Sequence, residues 1–147
     1  MAETVALPDA GWQAASVFRD TCLATRGHGI EAAISTILAR NGVREAQSLP
    51  AYGGGKPLRT FVGGKLEFLV RPGKGKSYGC FVALNGDSSL ADSARLALGS
   101  FKDLSPKTVK SSKKVYFEWS INGSKDEIRL TPQSDIGAIL FNLEVAK

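Results

Sequence analysis

The residues best suited to chemistry stand at 71–80, RPGKGKSYGC, where Gly75-Lys76-Ser77 matches the end of a phosphate-binding loop. Such a loop has the pattern G-x-x-x-x-G-K-[ST] and opens a helix whose first amides cradle the phosphates. Here Val70 takes the place of the first glycine, Pro72 has no amide to give, and Tyr78 to Leu84 alternates as a strand does. The stretch reads as a lysine-marked hairpin turn, and no nucleotide cofactor is expected.

A nucleophilic enzyme needs a base beside its nucleophile. The single histidine, His28, lies between Gly27 and Gly29, six residues after Cys22, in no protease or transferase signature. Neither cysteine has a CxxC partner or a neighbouring histidine, and the acidic residues show no ligand spacing, so no metal site is expected. Asp126-Glu127 falls in a hairpin loop while Glu67 and Glu118 fall on strands, which defines no glycosidase-type carboxylate pair. No catalytic residue is assigned. An enzyme would require the fold to collect several of Asp20, His28, Glu67 and Glu118 in one pocket.

The net charge of +5 is unevenly spread. Segment 56–76 carries Lys56, Arg59, Lys65, Arg71, Lys74 and Lys76 against Glu67, and 102–114 carries five lysines against Asp103, leaving the rest of the chain net acidic. Lys56, Arg59, Arg71, Lys74, Lys76, Lys110, Lys113 and Lys114 are thus candidate contacts to an anionic partner. The same residues serve equally as solvated charges that keep strand edges apart. Tyr52, Tyr78 and Tyr116 near these segments suit nucleic acid, but no helix-turn-helix spacing, RNP aromatics or KH glycine loop accompanies them.

The elements that must position these residues follow from hydrophobic periodicity. With 147 residues, 43% hydrophobic and 22% charged, the chain fits one globular core over 1–147, preceded by an extended segment at 1–10. No apolar run approaches the ~18 residues of a membrane span. Trp12, Ala15, Phe18 and Cys22 recur at helical spacing, and so do Ile30, Ala33, Ile34, Ile37 and Leu38, with Asn41-Gly42 as a stop. Residues 48–60, with Pro50, Gly53-Gly54-Gly55 and Pro57, read as a loop.

The period then changes to two. Leu66, Phe68 and Val70 form one strand and Tyr78, Cys80, Val82 and Leu84 the next, with apolar residues on both faces as befits a central strand. Asp87, Ser88 and Ser89 offer caps for a helix that carries Leu90, Ala94, Ala97, Leu98 and Phe101 on one face. Three strands follow: Val115 to Ile121, a partner beyond the Asn122-Gly123 turn, and a last one with Ile139, Phe141, Leu143 and Val145 on one face. The expected fold is a two-layer α+β domain in the order α-α-β-β-α-β-β-β, with an antiparallel sheet of about five strands covered on one face by helices.

On that plan Cys22 faces down from a helix and Cys80 up from a central strand, so a disulfide is sterically possible. A pair of buried free thiols is the alternative. Phe18-x-x-x-Cys22 on the first helix together with Gly79-Cys80 on a strand resembles small exported, periplasmic proteins of Gram-negative bacteria, of unknown function, that pair a helical cysteine with a strand cysteine. The resemblance implies a Cys22–Cys80 disulfide and a periplasmic or secreted location. Residues 1–9 contain neither a basic nor an apolar leader region, so export requires a leader upstream of the sequence given. The expected function is a non-catalytic exported binding protein, stapled by a disulfide, that recognises a protein or a small ligand in the periplasm. The alternative is a cytosolic domain that binds nucleic acid or another polyanion through its lysine-rich hairpins.

Overall fold

A computed structural model describes residues 9–48, 57–85, 90–107, 117–133 and 138–146. The glycine-rich loop with Lys56, the caps Asp87 to Ser89, and Lys110, Lys113 and Lys114 with Val115 and Tyr116 all lie outside the described residues.

Helix α1 (Ala10–Phe18) starts where Asp9 accepts a hydrogen bond from the Trp12 amide at 3.0 Å. The Ser93 hydroxyl donates to the same carboxylate oxygen at 2.8 Å, so the cap also ties α1 to a later helix. Small residues let α1 pack closely on its neighbours: Gly11, Ala14 and Ala15 are buried beside Phe18. The helix then widens into a π-helical turn (Arg19–Leu23), closed by the Ala24 amide on the Arg19 carbonyl at 2.8 Å. Cys22 lies on this turn and is fully buried, while Arg19 and Asp20 beside it are exposed. Gly29, at φ 90°, lets the chain turn into α2 (Ile30–Leu38), which buries Ala33, Ile34 and Ile37.

The strands are β1 (Arg44–Glu45), β2 (Arg59–Gly63), β3 (Leu66–Pro72) and β4 (Tyr78–Asn85), then α3 (Ala91–Ser100), then β5 (Leu104–Lys107), β6 (Phe117–Ile121), β7 (Glu127–Gln133) and β8 (Ala138–Val145). They form an antiparallel sheet of eight strands among the described residues, in the order β1-β2-β3-β4-β8-β7-β6-β5. The α+β class and the helix-covered antiparallel sheet are as expected. The number of about five strands is not, and the third helix follows four strands rather than two.

The additional strands have physical reasons for being hard to read. The two-residue β1 is too short to show a period, and β2 begins inside the stretch that reads as a loop. The four-residue β5 includes Pro106, which is tolerated because β5 is an edge strand. The π-turn likewise has no signature, since a single widened turn leaves the burial pattern helical on both sides.

The core lies between the helices and one sheet face. Phe61, Phe68, Val70, Cys80, Val82, Trp119, Ile128, Leu130, Phe141 and Leu143 meet Phe18, Ile37, Ala94 and Leu98 there. Phe18 stacks on Phe141 with ring centroids 5.5 Å apart. A Cys22–Cys80 disulfide joins the π-turn to β4 across this core, with a Cα–Cα distance of 5.7 Å. The bridge expected from the resemblance is therefore present, and the free-thiol alternative is overturned.

Candidate functional site

An open cleft of about 1000 Å³ lies at one end of the sheet. Its position follows from topology. Pairing of Tyr78 with Val145 and of Glu127 with Glu144 brings the start of β4, the start of β7 and the end of β8 to the same edge. The β3–β4 turn and the β6–β7 hairpin thus stand side by side, and the link between the π-turn and α2 closes over them.

Each of these three segments contributes a basic side chain to the lining: Arg26 and His28 from the helix link, Lys76 from the β3–β4 turn, and Lys125 from the β6–β7 hairpin. Glu31 and Asp126 are its acids. Asp126 is committed: its carboxylate accepts from Arg26 at 3.1 Å and from the Ala146 amide at 2.8 Å. Lys76 and Lys125 form no ion pair among the described residues. Gly29, Ile30 and Glu31 also line the cleft, and the first turn of α2, with no side-chain cap, adds amide donors. Tyr78 sits at the floor, its hydroxyl donating to the Thr25 carbonyl at 3.5 Å. Burial, the largest influence, pushes its phenol above the ordinary value, with a further push from Asp126, so it remains a proton donor near neutral pH.

The turn at 72–77 is shaped by Gly75, at φ 62°, and by Gly73, where a Cβ would come within 2.5 Å of the Ser77 hydroxyl. Ser77 closes it with bonds from its amide and hydroxyl to the Lys74 carbonyl at 3.1 and 2.6 Å. The segment that imitates a phosphate loop is thus a hairpin turn, as its spacing predicts, and it still delivers Lys76 to a cleft.

The remaining candidates are dispersed. Arg59 is held by Glu45 at 2.8 Å and lies over the Phe61 ring, and this guanidinium keeps the Glu45 carboxyl below its ordinary range. Arg71 is paired with Glu144 and lies over Phe81. Lys74 is exposed on the turn, outside the cleft lining. Tyr78 is too buried to stack on a base, and Tyr52 and Tyr116 lie outside the described residues. Asp20, His28, Glu67 and Glu118 are not collected in one pocket: His28 lines the cleft, Asp20 a second one, Glu67 accepts from Asn85, and Glu118 is paired with Arg129. No cluster of three metal-binding side chains occurs among the described residues.

Arg26, Glu31 and Lys125 carry no sequence signal of their own. They become a site only through the β4–β8 pairing, which joins the two halves of the sheet. Fold and cleft together define an α+β domain with helices on one face of an antiparallel sheet and a polar cleft at its end. Comparison with protein-family models, with curated proteins and with solved structures finds no match.

Proposed function

We propose that this chain is an exported, non-catalytic binding domain, stapled by the Cys22–Cys80 disulfide, that takes a small anionic ligand in the cleft at the end of its sheet. The observation that carries the reading is the convergence of Arg26, His28, Lys76 and Lys125 from three separate segments on one cleft. Because Asp126 holds Arg26, the lysines are the groups that meet a ligand charge. Asp20, His28, Glu67 and Glu118 stand apart, so an enzymatic reading cannot be built on those four residues. The buried disulfide supports an oxidising compartment, where such bridges persist.

Calorimetric titration with inorganic phosphate and with succinate at low salt tests the reading. Binding is expected, weakened about tenfold or more by Lys76→Glu or Lys125→Glu, as for loss of a charge-assisted contact. Absence of binding by both anions overturns it. The polyanion-binding alternative has to draw on lysines, Lys56, Lys74, Lys76, Lys110, Lys113 and Lys114, since Arg59 and Arg71 are occupied by Glu45 and Glu144.

A further inference from the structure

A second cleft, of about 620 Å³, lies beside the first, and Arg26 lines both. The two also share a wall, because Ile121 at the base of the β6–β7 hairpin lines the second and Ser124 to Asp126 line the first. The second cleft differs in character: Trp12, Leu23, Phe101 and Leu104 are half-buried around it. Asp103, on its rim, is the one non-glycine residue with positive φ among the described residues, at 69°. Its carbonyl accepts from the Asn122 amide at 2.8 Å, which fixes the hairpin against the rim. Backbone held in this region persists where surrounding structure enforces it, a condition found at ligand clamps.

The charges differ between the two adjoining clefts. Arg19 pairs with Asp20 and Arg26 with Asp126. Lys102 and Asp103 are neighbours at the apolar end, while Lys76 and Lys125 line the other with Glu31 and the Arg26-paired Asp126, and the field of Glu31 also acts on Arg59. One end therefore suits carboxylates and the other an apolar side chain. We infer that the two clefts together bind an extended acidic peptide segment, its carboxylates at Lys76 and Lys125 and an apolar side chain among Trp12, Leu23, Phe101 and Leu104. This rests on the proposal that the first cleft binds anions and adds the class of ligand.

The test uses acetylated, amidated peptides in which a Glu-Asp pair is joined to a leucine by glycine spacers of increasing length. One spacer length is expected to bind about tenfold tighter than its leucine-to-glycine counterpart, the gain from burying one leucine side chain. Trp12 reports occupancy directly, because the other tryptophan, Trp119, is buried in the core. The leucine peptide should shift the emission of the wild-type protein and of Lys74→Ala, which lies outside both clefts, but not of Trp12→Phe, while phosphate shifts none. If phosphate and all peptides bind equally, with no leucine gain and no Trp12 response, the peptide inference falls and the anion reading stands. Tighter binding by an oligouronate that displaces the leucine peptide and shifts Trp12 overturns the peptide class. If nothing binds, both fall.

Discussion

The Asp126 carboxylate, 8% exposed, draws together three of the segments that line the cleft: its own hairpin, the helix link through Arg26, and the end of β8 through the Ala146 amide. Its Asp126 amide in turn donates to the Ser124 hydroxyl at 3.0 Å. Removing the carboxylate leaves a half-buried guanidinium and an amide without their acceptor. Asp126→Ala should therefore lower unfolding stability by about 2 kcal/mol, within the usual range for an unsatisfied buried partner. Asp126→Asn keeps the acceptor for Ala146 and should lose about half as much. Urea unfolding of the two variants decides the matter, and equal losses would mean that the Ala146 bond contributes nothing.

Asp9 acts at the start of α1, where its carboxyl is held below the ordinary value chiefly by the Trp12 amide and then by the Ser93 hydroxyl, against a small opposing effect of burial. A depressed folded-state value means that the cap stabilises the fold fully above the unfolded carboxyl range, near pH 4, and loses this as pH falls through the lower folded value. Replacement of an N-cap residue by alanine costs about 1 kcal/mol, and the exposure of Asp9 places it toward the lower end. The stability difference between wild type and Asp9→Ala should be present at neutral pH and shrink on acidification toward pH 2. A constant difference would show that the charge is not involved.

Between elements, α1 comes close to the start of α3. A Cβ on Gly11 would stand 2.4 Å from the Leu90 carbonyl and 2.6 Å from the Ser93 hydroxyl, and the first of these is backbone that cannot rotate aside. Gly11→Ala should cost about 1–3 kcal/mol through displacement of α1, in contrast to the gain expected of glycine to alanine in an open helix. Thermal unfolding measures it, and an unchanged or raised midpoint would mean that the helices part without penalty.

Nothing in the local sequence marks Gly11 as a contact, whereas much else at this scale is legible. The faces of α1, α2, β3, β4 and β8 follow from periods of 3.6 and 2, because each of these elements has one side in a shared core. The apolar residues on the second face of the central strands are also as expected. Leu69 and Phe81 pair there beside Asn142, whose buried side-chain oxygen accepts no hydrogen bond among the described residues. What local pattern does not contain is the pairing of β4 with β8, which joins Val82 to Phe141 and places the two lysine-bearing turns on one edge. Lys76 can thus be picked out from its turn alone, but its neighbours Arg26 and Lys125 cannot.

The whole molecule divides into two parts of the same plan. Helices precede the four-stranded meander β1 to β4, one helix precedes the meander β5 to β8, and the last strands of the two meanders meet at the centre. α1 and α3 pack together above that seam. The disulfide fastens only the first part, from the π-turn to β4, across 58 residues. Closing a loop of that length removes about 4 kcal/mol of entropy from the unfolded chain by a chain-entropy argument, an upper bound on the stabilisation. Both cysteines are fully buried, so a reductant reaches them only when the sheet leaves the helices. Dithiothreitol alone should leave the bridge intact in the folded protein, whereas dithiothreitol in moderate urea should release both thiols together with loss of structure. Alkylation followed by mass measurement distinguishes the two. The variant with Cys22→Ala and Cys80→Ala should have a urea midpoint lowered by the equivalent of about 2–4 kcal/mol. Because Cys22 stands between the exposed Arg19 and Asp20 and the link that carries Arg26, the same variant should also bind phosphate more weakly. Unchanged affinity in a destabilised variant would confine the disulfide to the fold and separate it from the cleft.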